Sequence, residues 1–175
     1  IEYLVESKPL GTAGALSLLK ADGFESLIVS NCDVISQMEY SDMLDFHEAQ
    51  SNDMTLGVVT QKFPIPFGVV DTVSAKVVGF REKPNYEVSV NAGVYVLQQE
   101  LIADVPHNRR FDMPELLQIS LTKNRRCAAF TINDEWIDVG RPEDLERARR
   151  FLVDYEAREP DHALQKGSGK HGAAF

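Results

Sequence analysis

Hydrophobic and polar positions along the chain alternate between a helical period and a strand period, and the alternation lays out an order of elements. From residue 11 to residue 22, Leu16, Leu19 and the alanines line one side of a helical repeat, and Thr12 stands where a cap would; a helix is expected there. Leu27-Ile28-Val29 is an apolar run of strand length, which predicts a buried strand over 26–30 whose exit reads Asn31-Cys32-Asp33. Ser41 is placed to cap a helix reaching Gln50, in which Met43, Leu44 and His47 recur at helical spacing, and residues 54–60 read as the next strand. Past Phe67 the pattern changes to extended runs over 67–71, 76–81 and 88–97 with little but turns between them, the signature of an antiparallel insertion. A helix over 114–122, a strand over 127–132, a last strand through Trp136 and a final helix to about Ala157 complete the order. The fold class implied is α/β: a Rossmann-like mixed sheet with helices on both faces and a small antiparallel insertion. Residues 1–157 read as one domain and residues 158–175 as an extension, whose Gly167-Ser168-Gly169-Lys170-His171-Gly172 run has the composition of a flexible tail.

Composition narrows the partners. At 175 residues and 43% hydrophobic content the chain can bury a real core, and a formal net charge of −9 argues against a nucleic-acid binder, which needs clustered basic surface. Anionic substrates would therefore have to meet local cations. The two cysteines, Cys32 and Cys127, lie far apart with no CxxC or Cys/His spacing, so zinc and a disulfide framework are not indicated and a reducing cytoplasm is the expected location. The histidines show no ligand spacing, and Ser30, Cys32 and Ser36 have no evident base partner, which argues against a covalent nucleophile. No apolar run approaches membrane-spanning length. The first residue is Ile1, not Met, so upstream residues are expected.

Several short segments carry candidate chemistry. Trp136-Ile137-Asp138-Val139-Gly140-Arg141-Pro142-Glu143-Asp144-Leu145 ends a strand on a lone carboxylate and starts a helix within a few residues, with Pro142 suited to its first turn and Glu143 and Asp144 to its positive end. Asp33 ends the earlier strand in the same way; alone it is a turn former, but two strand-end aspartates brought together in an α/β fold can hold one Mg²⁺ against phosphate oxygens. Gly11 and Thr12 open Pro9-Leu10-Gly11-Thr12-Ala13-Gly14-Ala15-Leu16, where small residues either admit a ring or phosphate to the backbone or pack a helix closely on a sheet. Glu82 and Lys83, in Phe80-Arg81-Glu82-Lys83-Pro84, offer a hydroxyl acceptor beside a phosphate cation, or a solvated pair at a strand end. Asn91 and Gly93, in Asn91-Ala92-Gly93-Val94-Tyr95, mark either close ligand approach or a bulge. Gly68 closes the stiff loop Phe63-Pro64-Ile65-Pro66-Phe67-Gly68, which serves equally as a sugar-facing wall or a plain turn.

In chain order, PLGTAGAL, NCD, FGVV, FREKP, NAGVYV and WIDVGRPEDL resemble the sugar-phosphate nucleotidyltransferase family, from Pro9 to Leu145, with WxDxGxPED the most specific element. The resemblance implies transfer of a nucleotidyl group from a nucleoside triphosphate to a sugar 1-phosphate, giving a nucleoside-diphosphate sugar and pyrophosphate with Mg²⁺ as cofactor; PLGTAGAL is most like members that make GDP-mannose, which favours GTP and a mannose-like sugar. Carried over by position, Gly11 and Thr12 would lie against the nucleotide, Asp33 and Asp138 would bind Mg²⁺, Gly68, Glu82, Asn91 and Gly93 would meet the sugar, and Lys83 its phosphate. The family's opening GxGTRL segment has no counterpart in the sequence, so the chain is expected to be the later part of a catalytic domain, active only with that segment and completed by upstream residues or by a second copy in a homo-oligomer. Two other readings compete: a non-catalytic sugar-phosphate-binding or regulatory module, and a GT-A glycosyltransferase, against which stands the lack of a DxD triplet.

Overall fold

The computed structural model describes residues 1–20 and 23–158, and of the last three only the helical backbone. Residues 159–175, and with them the glycine-rich run of the expected tail, lie outside the described residues.

A four-stranded sheet organises the molecule. Its strands are β1 (Ser26–Ser30), β3 (Met54–Pro64), β6 (Asn85–Gln98) and β7 (Cys127–Thr131), in the spatial order β1-β6-β3-β7. β6 runs antiparallel to both neighbours while β3 and β7 are parallel, so the sheet is mixed. Side chains on β6 alternate between two apolar layers, as the strand period requires. Tyr95 and Leu97 face a core that holds Ala13, Leu16, Leu101, Phe111, Met113 and Leu116; Val94 and Val96 face one that holds Met38, Met43, Val59 and Ile132. The first layer is roofed by α1 (Gly11–Gly14) and α3 (Met113–Thr122), the second by α2 (Tyr40–Ala49). Helices thus cover both faces, and the mixed α/β class is met.

Two small ladders complete the fold. β2 (Val34–Ser36) pairs antiparallel with β8 (Trp136–Asp138), ahead of the long helix α4 (Pro142–Arg158). β4 (Val69–Val73) pairs with β5 (Lys76–Arg81) in a separate hairpin, turned by Ser74 and Ala75 at φ 47° and 65°. Two consecutive positive φ values match the twist of a two-residue hairpin turn.

The structure corrects five local expectations. The helix expected over 11–22 is one α-turn, Gly11–Gly14, followed by a 3₁₀ segment, Ala15–Leu18, because two glycines in four residues weaken a helix and Ser17 Oγ bonds back to the Gly14 carbonyl at 2.7 Å. Thr12 lies within that turn and caps nothing at its start. Ser41 is not a cap either: α2 begins at Tyr40, with Glu39 at the cap position and no side-chain cap bond. The third extended run belongs to the central strand β6, since its alternating apolar residues are buried in both layers, which leaves the insertion as a single hairpin. β1 is half-buried instead of buried: it is the outer strand, paired on one edge alone among the described residues, and Ile28 is 37% exposed.

Candidate functional site

The segments that carry the two strand-end aspartates lie side by side. Val34 on β2 is the ladder partner of Asp138 on β8, and one step further the Val139 N–H donates to the Asp33 carbonyl at 2.8 Å. Both aspartates are exposed, and neither carboxylate has a hydrogen-bond or ion-pair partner among the described residues. β8 buries Ile137 and turns Asp138 outward, the alternation a strand imposes. Pro142 then opens α4 with Glu143 and Asp144 in its first turn, as the sequence implied.

A kink in β6 lies directly beside this pair. The ladder with β3 runs Leu56↔Tyr95 and then skips to Val58↔Asn91, so three residues of β6 stand opposite Gly57. Gly93 takes φ +74°, in the left-handed region, and a Cβ there would come within 2.7 Å of Asn31 Nδ2 and 3.2 Å of Val34 Cγ2. Three backbone groups at the kink have partners outside the β3 ladder. Asn91 Oδ1 accepts the Gly93 N–H at 3.0 Å, the Asn31 N–H donates to the Gly93 carbonyl at 2.8 Å, and the Trp136 indole N–H donates to the Ala92 carbonyl at 2.9 Å. Asn91 is itself held by donation from Nδ2 to the buried Tyr95 hydroxyl at 2.6 Å. Burial pushes the Tyr95 phenol up from its ordinary pKa, against the smaller lowering by Asn91, so the hydroxyl stays neutral.

Gly68, Glu82 and Lys83 form a second group at the hairpin. A Cβ on Gly68 would meet the Phe80 ring at 2.7 Å and Glu82 Oε2 at 3.2 Å, so the carboxylate lies against that glycine. β5 stops at Arg81, Lys83 turns the chain at φ +44°, and Ile65 N–H bonds to the Pro84 carbonyl at 3.0 Å. The expected break before Pro84 is therefore present and frees adjacent Glu82 and Lys83 from opposite faces of one strand. Both are exposed, without partners among the described residues.

Gly11 and Thr12 form a third group, anchored to a residue that sequence reasoning did not single out. The Thr12 N–H donates to Asp112 Oδ1 at 2.8 Å, and Thr12 Oγ1 accepts the Met113 N–H at 2.8 Å. Gly11, at φ +83°, leaves a Cβ position only 2.8 Å from the Phe111 carbonyl, so no larger residue fits. The backbone N–H of Thr12 chiefly holds the Asp112 carboxyl below the usual range. Asp112 is 100 residues from Thr12, and no spacing rule could have paired them. Asn31 and Trp136 were also missed as contacts, although each stands two residues before a singled-out aspartate. Ala13 and Leu16 share one apolar core with Tyr95, so the turn carrying Gly11 and the anchor of Asn91 lie on the same side of the sheet.

Among the described residues no helix is long and apolar enough to cross a membrane, and no group of three or more His, Cys, Asp or Glu side chains is arranged to hold a metal by itself.

The chain is similar to proteins of known family. A mannose-1-phosphate guanylyltransferase of Mycobacterium tuberculosis is 33% identical over 159 residues, 87% of this chain and 44% of the relative, and the mannose-1-phosphate guanyltransferase of Saccharomyces cerevisiae is 30% identical over 184 residues, 100% of this chain and 50% of the relative. The chain thus spans about half the length of the curated relatives it matches. The crystal structure of HddC from Yersinia pseudotuberculosis complexed with GMP-PN superposes with a TM-score of 0.61 at 25% identity, over 84% of this chain and 64% of that one. The profile of the nucleotidyl transferase family matches residues 1–154, most of the chain, and the chain belongs to that family.

Proposed function

We propose that the protein carrying this chain transfers a nucleotidyl group from a nucleoside triphosphate to a sugar 1-phosphate, releasing pyrophosphate, with GTP and a mannose-like sugar as the favoured substrates. The observation that carries the reading is that the segments bearing Asp33 and Asp138 run side by side, with the Val139 N–H on the Asp33 carbonyl and Val34 opposite Asp138, so that two exposed and unpartnered carboxylates stand on adjacent strands' ends beside the only irregular stretch of the central strand pair. The base and sugar preference rests on the PLGTAGAL segment and on the names of the relatives above.

Two carboxylate oxygens without protein partners fit a hard divalent cation, and because no third acidic ligand is grouped with them, Mg²⁺ held by Asp33 and Asp138 would share its remaining positions with phosphate and water oxygens. When bound there, the ion would supply positive charge to the reacting phosphates. The chain's own residues do the rest. Lys83 draws the sugar phosphate by charge, while Glu82 accepts sugar hydroxyls beside the bare backbone of Gly68. Asn91 and the Gly93 kink border the sugar, and the Gly11–Thr12 turn, held by Asp112, borders the nucleotide. A sugar phosphate oxygen then forms a bond to the α-phosphorus as the bond to the bridging oxygen breaks and pyrophosphate leaves with that electron pair; Lys83 offsets charge on the incoming phosphate. No protein nucleophile is needed. Two free cysteines, one of them exposed, suit a reducing compartment such as the cytoplasm.

Pyrophosphate release by the full-length protein, measured over a panel of triphosphates and sugar 1-phosphates, tests the proposal. GTP with mannose 1-phosphate should turn over fastest, and Asp138→Asn should lower kcat by on the order of 10² or more, since the charge it helps to hold acts mainly in the transition state. Binding of sugar phosphate without turnover of any pair would overturn it in favour of a non-catalytic module.

A further inference from the structure

We infer that Trp136 is a positioning residue which, through the kink in β6, sets the relative placement of Asp33 and Asp138. The inference rests on the proposed divalent-cation site and adds to it a residue that touches neither cation nor substrate.

Where β6 skips register with β3, the Ala92 carbonyl accepts the Trp136 indole N–H at 2.9 Å. The next carbonyl, of Gly93, accepts the Asn31 N–H at 2.8 Å, one step beyond the last β1–β6 ladder pair, Ser30↔Val94. Consecutive carbonyls of one strand therefore grip two different segments, one two residues before Asp138 and the other two residues before Asp33. The grip is closed at its far end by the Val139 N–H on the Asp33 carbonyl at 2.8 Å, and between them by the ladder pairs Ser36↔Trp136 and Val34↔Asp138. The loop of bonds Ala92–Trp136–Asp138–Val139–Asp33–Asn31–Gly93 is continuous.

The grip does not depend on general packing alone. Indole is a donor with a single N–H, so its bond fixes the ring's direction as well as its depth. The ring also packs against the apolar layer of Val94, Val96 and Ile132, which prevents Trp136 from turning to another acceptor. Neither carboxylate has a partner of its own to hold it in place, so the backbone path is what fixes their separation. Loss of the indole donor should thus loosen β8 at Trp136, leave the Ala92 carbonyl unpaired, and let the two aspartates drift, with a cost that appears in cation affinity.

Manganese(II) alone, titrated into the full-length protein and followed by electron paramagnetic resonance of the free ion, gives a readout apart from turnover. Wild type should bind one ion, Asp138→Asn should abolish that binding, and Trp136→Phe should raise the Kd by about 10–100-fold, the range seen when a group orienting a metal ligand is removed. Urea unfolding of Trp136→Phe, compared with wild type, separates loosened geometry from an unfolded protein. A second measurement uses wild type itself: the chain has one tryptophan, so its indole N–H gives one assignable resonance, which should exchange slowly with solvent and shift when Mg²⁺ is added. Manganese affinity unchanged in Trp136→Phe, or a fast-exchanging indole N–H indifferent to Mg²⁺, would overturn the inference while leaving the cation site standing. Wild type that binds no manganese would overturn the cation site and the inference with it.

Discussion

Replacing Gly93 by alanine perturbs the kink at its centre, and the size of the effect follows from two separable terms. The first is conformational: at φ +74° an alanine sits in the left-handed region, which costs about 1–2 kcal/mol for a residue with a Cβ. The second is steric. The new methyl would stand 2.7 Å from Asn31 Nδ2, 3.1 Å from Asn31 Cγ and 3.2 Å from Val34 Cγ2, so two segments must move, an overpacking term of about 1–3 kcal/mol. The sum is roughly 2–5 kcal/mol, a large share of the stability of an ordinary domain. Gly23→Ala isolates the first term, because Gly23 also has a positive φ, +98°, but among the described residues nothing lies within 4 Å of its Cβ position. Urea unfolding at neutral pH should therefore lose about 1–2 kcal/mol for Gly23→Ala and roughly 1–3 kcal/mol more for Gly93→Ala. Because the methyl pushes on Asn31, two residues from Asp33, Gly93→Ala should lower kcat as well, whereas Gly23→Ala should not. Equal stability loss in the two variants would refute the claim that Gly93 is required for close approach and would reduce its role to backbone freedom.

Three further outcomes follow from named contacts. Lys83→Ala should weaken sugar 1-phosphate binding in a calorimetric titration by about 10-fold or more, the scale of a lost charge-assisted contact, and leave triphosphate binding unchanged; undiminished sugar-phosphate affinity would remove Lys83 from the site. His47 is buried, bonded through Nδ1 to Thr55 Oγ1 at 2.8 Å and through Nε2 to Gln98 at 3.3 Å, and desolvation lowers its pKa against the opposing pull of Glu48 and Asp53. Since the unfolded chain takes up that proton near pH 6.5 and the folded chain only at lower pH, the His47 contribution is present above about 6.5 and is lost as pH falls toward the folded value; urea midpoints at pH 7.5 and 5.5 should show the fall in wild type and a smaller one in His47→Gln. Leu116→Ala, at a position with no exposure in the layer beneath α3, should cost about 2–5 kcal/mol by the same measurement, and a loss under 1 kcal/mol would show that this layer is not close-packed.

The order of elements, the α/β class and the two aspartates at strand ends were legible in the chain because each depends on local signals. A continuous apolar run such as Val94–Leu97 declares a strand buried on both faces, and a carboxylate between an apolar run and a proline-led helix declares a strand end. The break at Pro84 was legible for the same reason, since proline has no N–H to give a ladder, although the left-handed φ of +44° at Lys83 was not. What the sequence could not rank was pairing over distance. Residues 88–97 read as part of an insertion, whereas the sheet has them at its centre, because a strand's own pattern says that both faces are buried but not which strands lie beside it. Residues 11–22 read as a helix because leucine and alanine spacing outvoted two glycines, and the bonds that end the turn early and tie it down, Ser17 Oγ to the Gly14 carbonyl and Thr12 N–H to Asp112, appear only in the folded chain. The kink at Gly93 was open to two readings, ligand approach or bulge, and the tertiary structure supplies the bulge together with the Asn31 and Trp136 donors that satisfy it. Sequence by itself thus determined which residues end strands, since φ restrictions and burial periods act within a few neighbours; tertiary structure alone decided which ends meet, since a hydrogen bond between Asn31 and Gly93 or Trp136 and Ala92 exists only once the sheet has brought distant backbone within 3 Å.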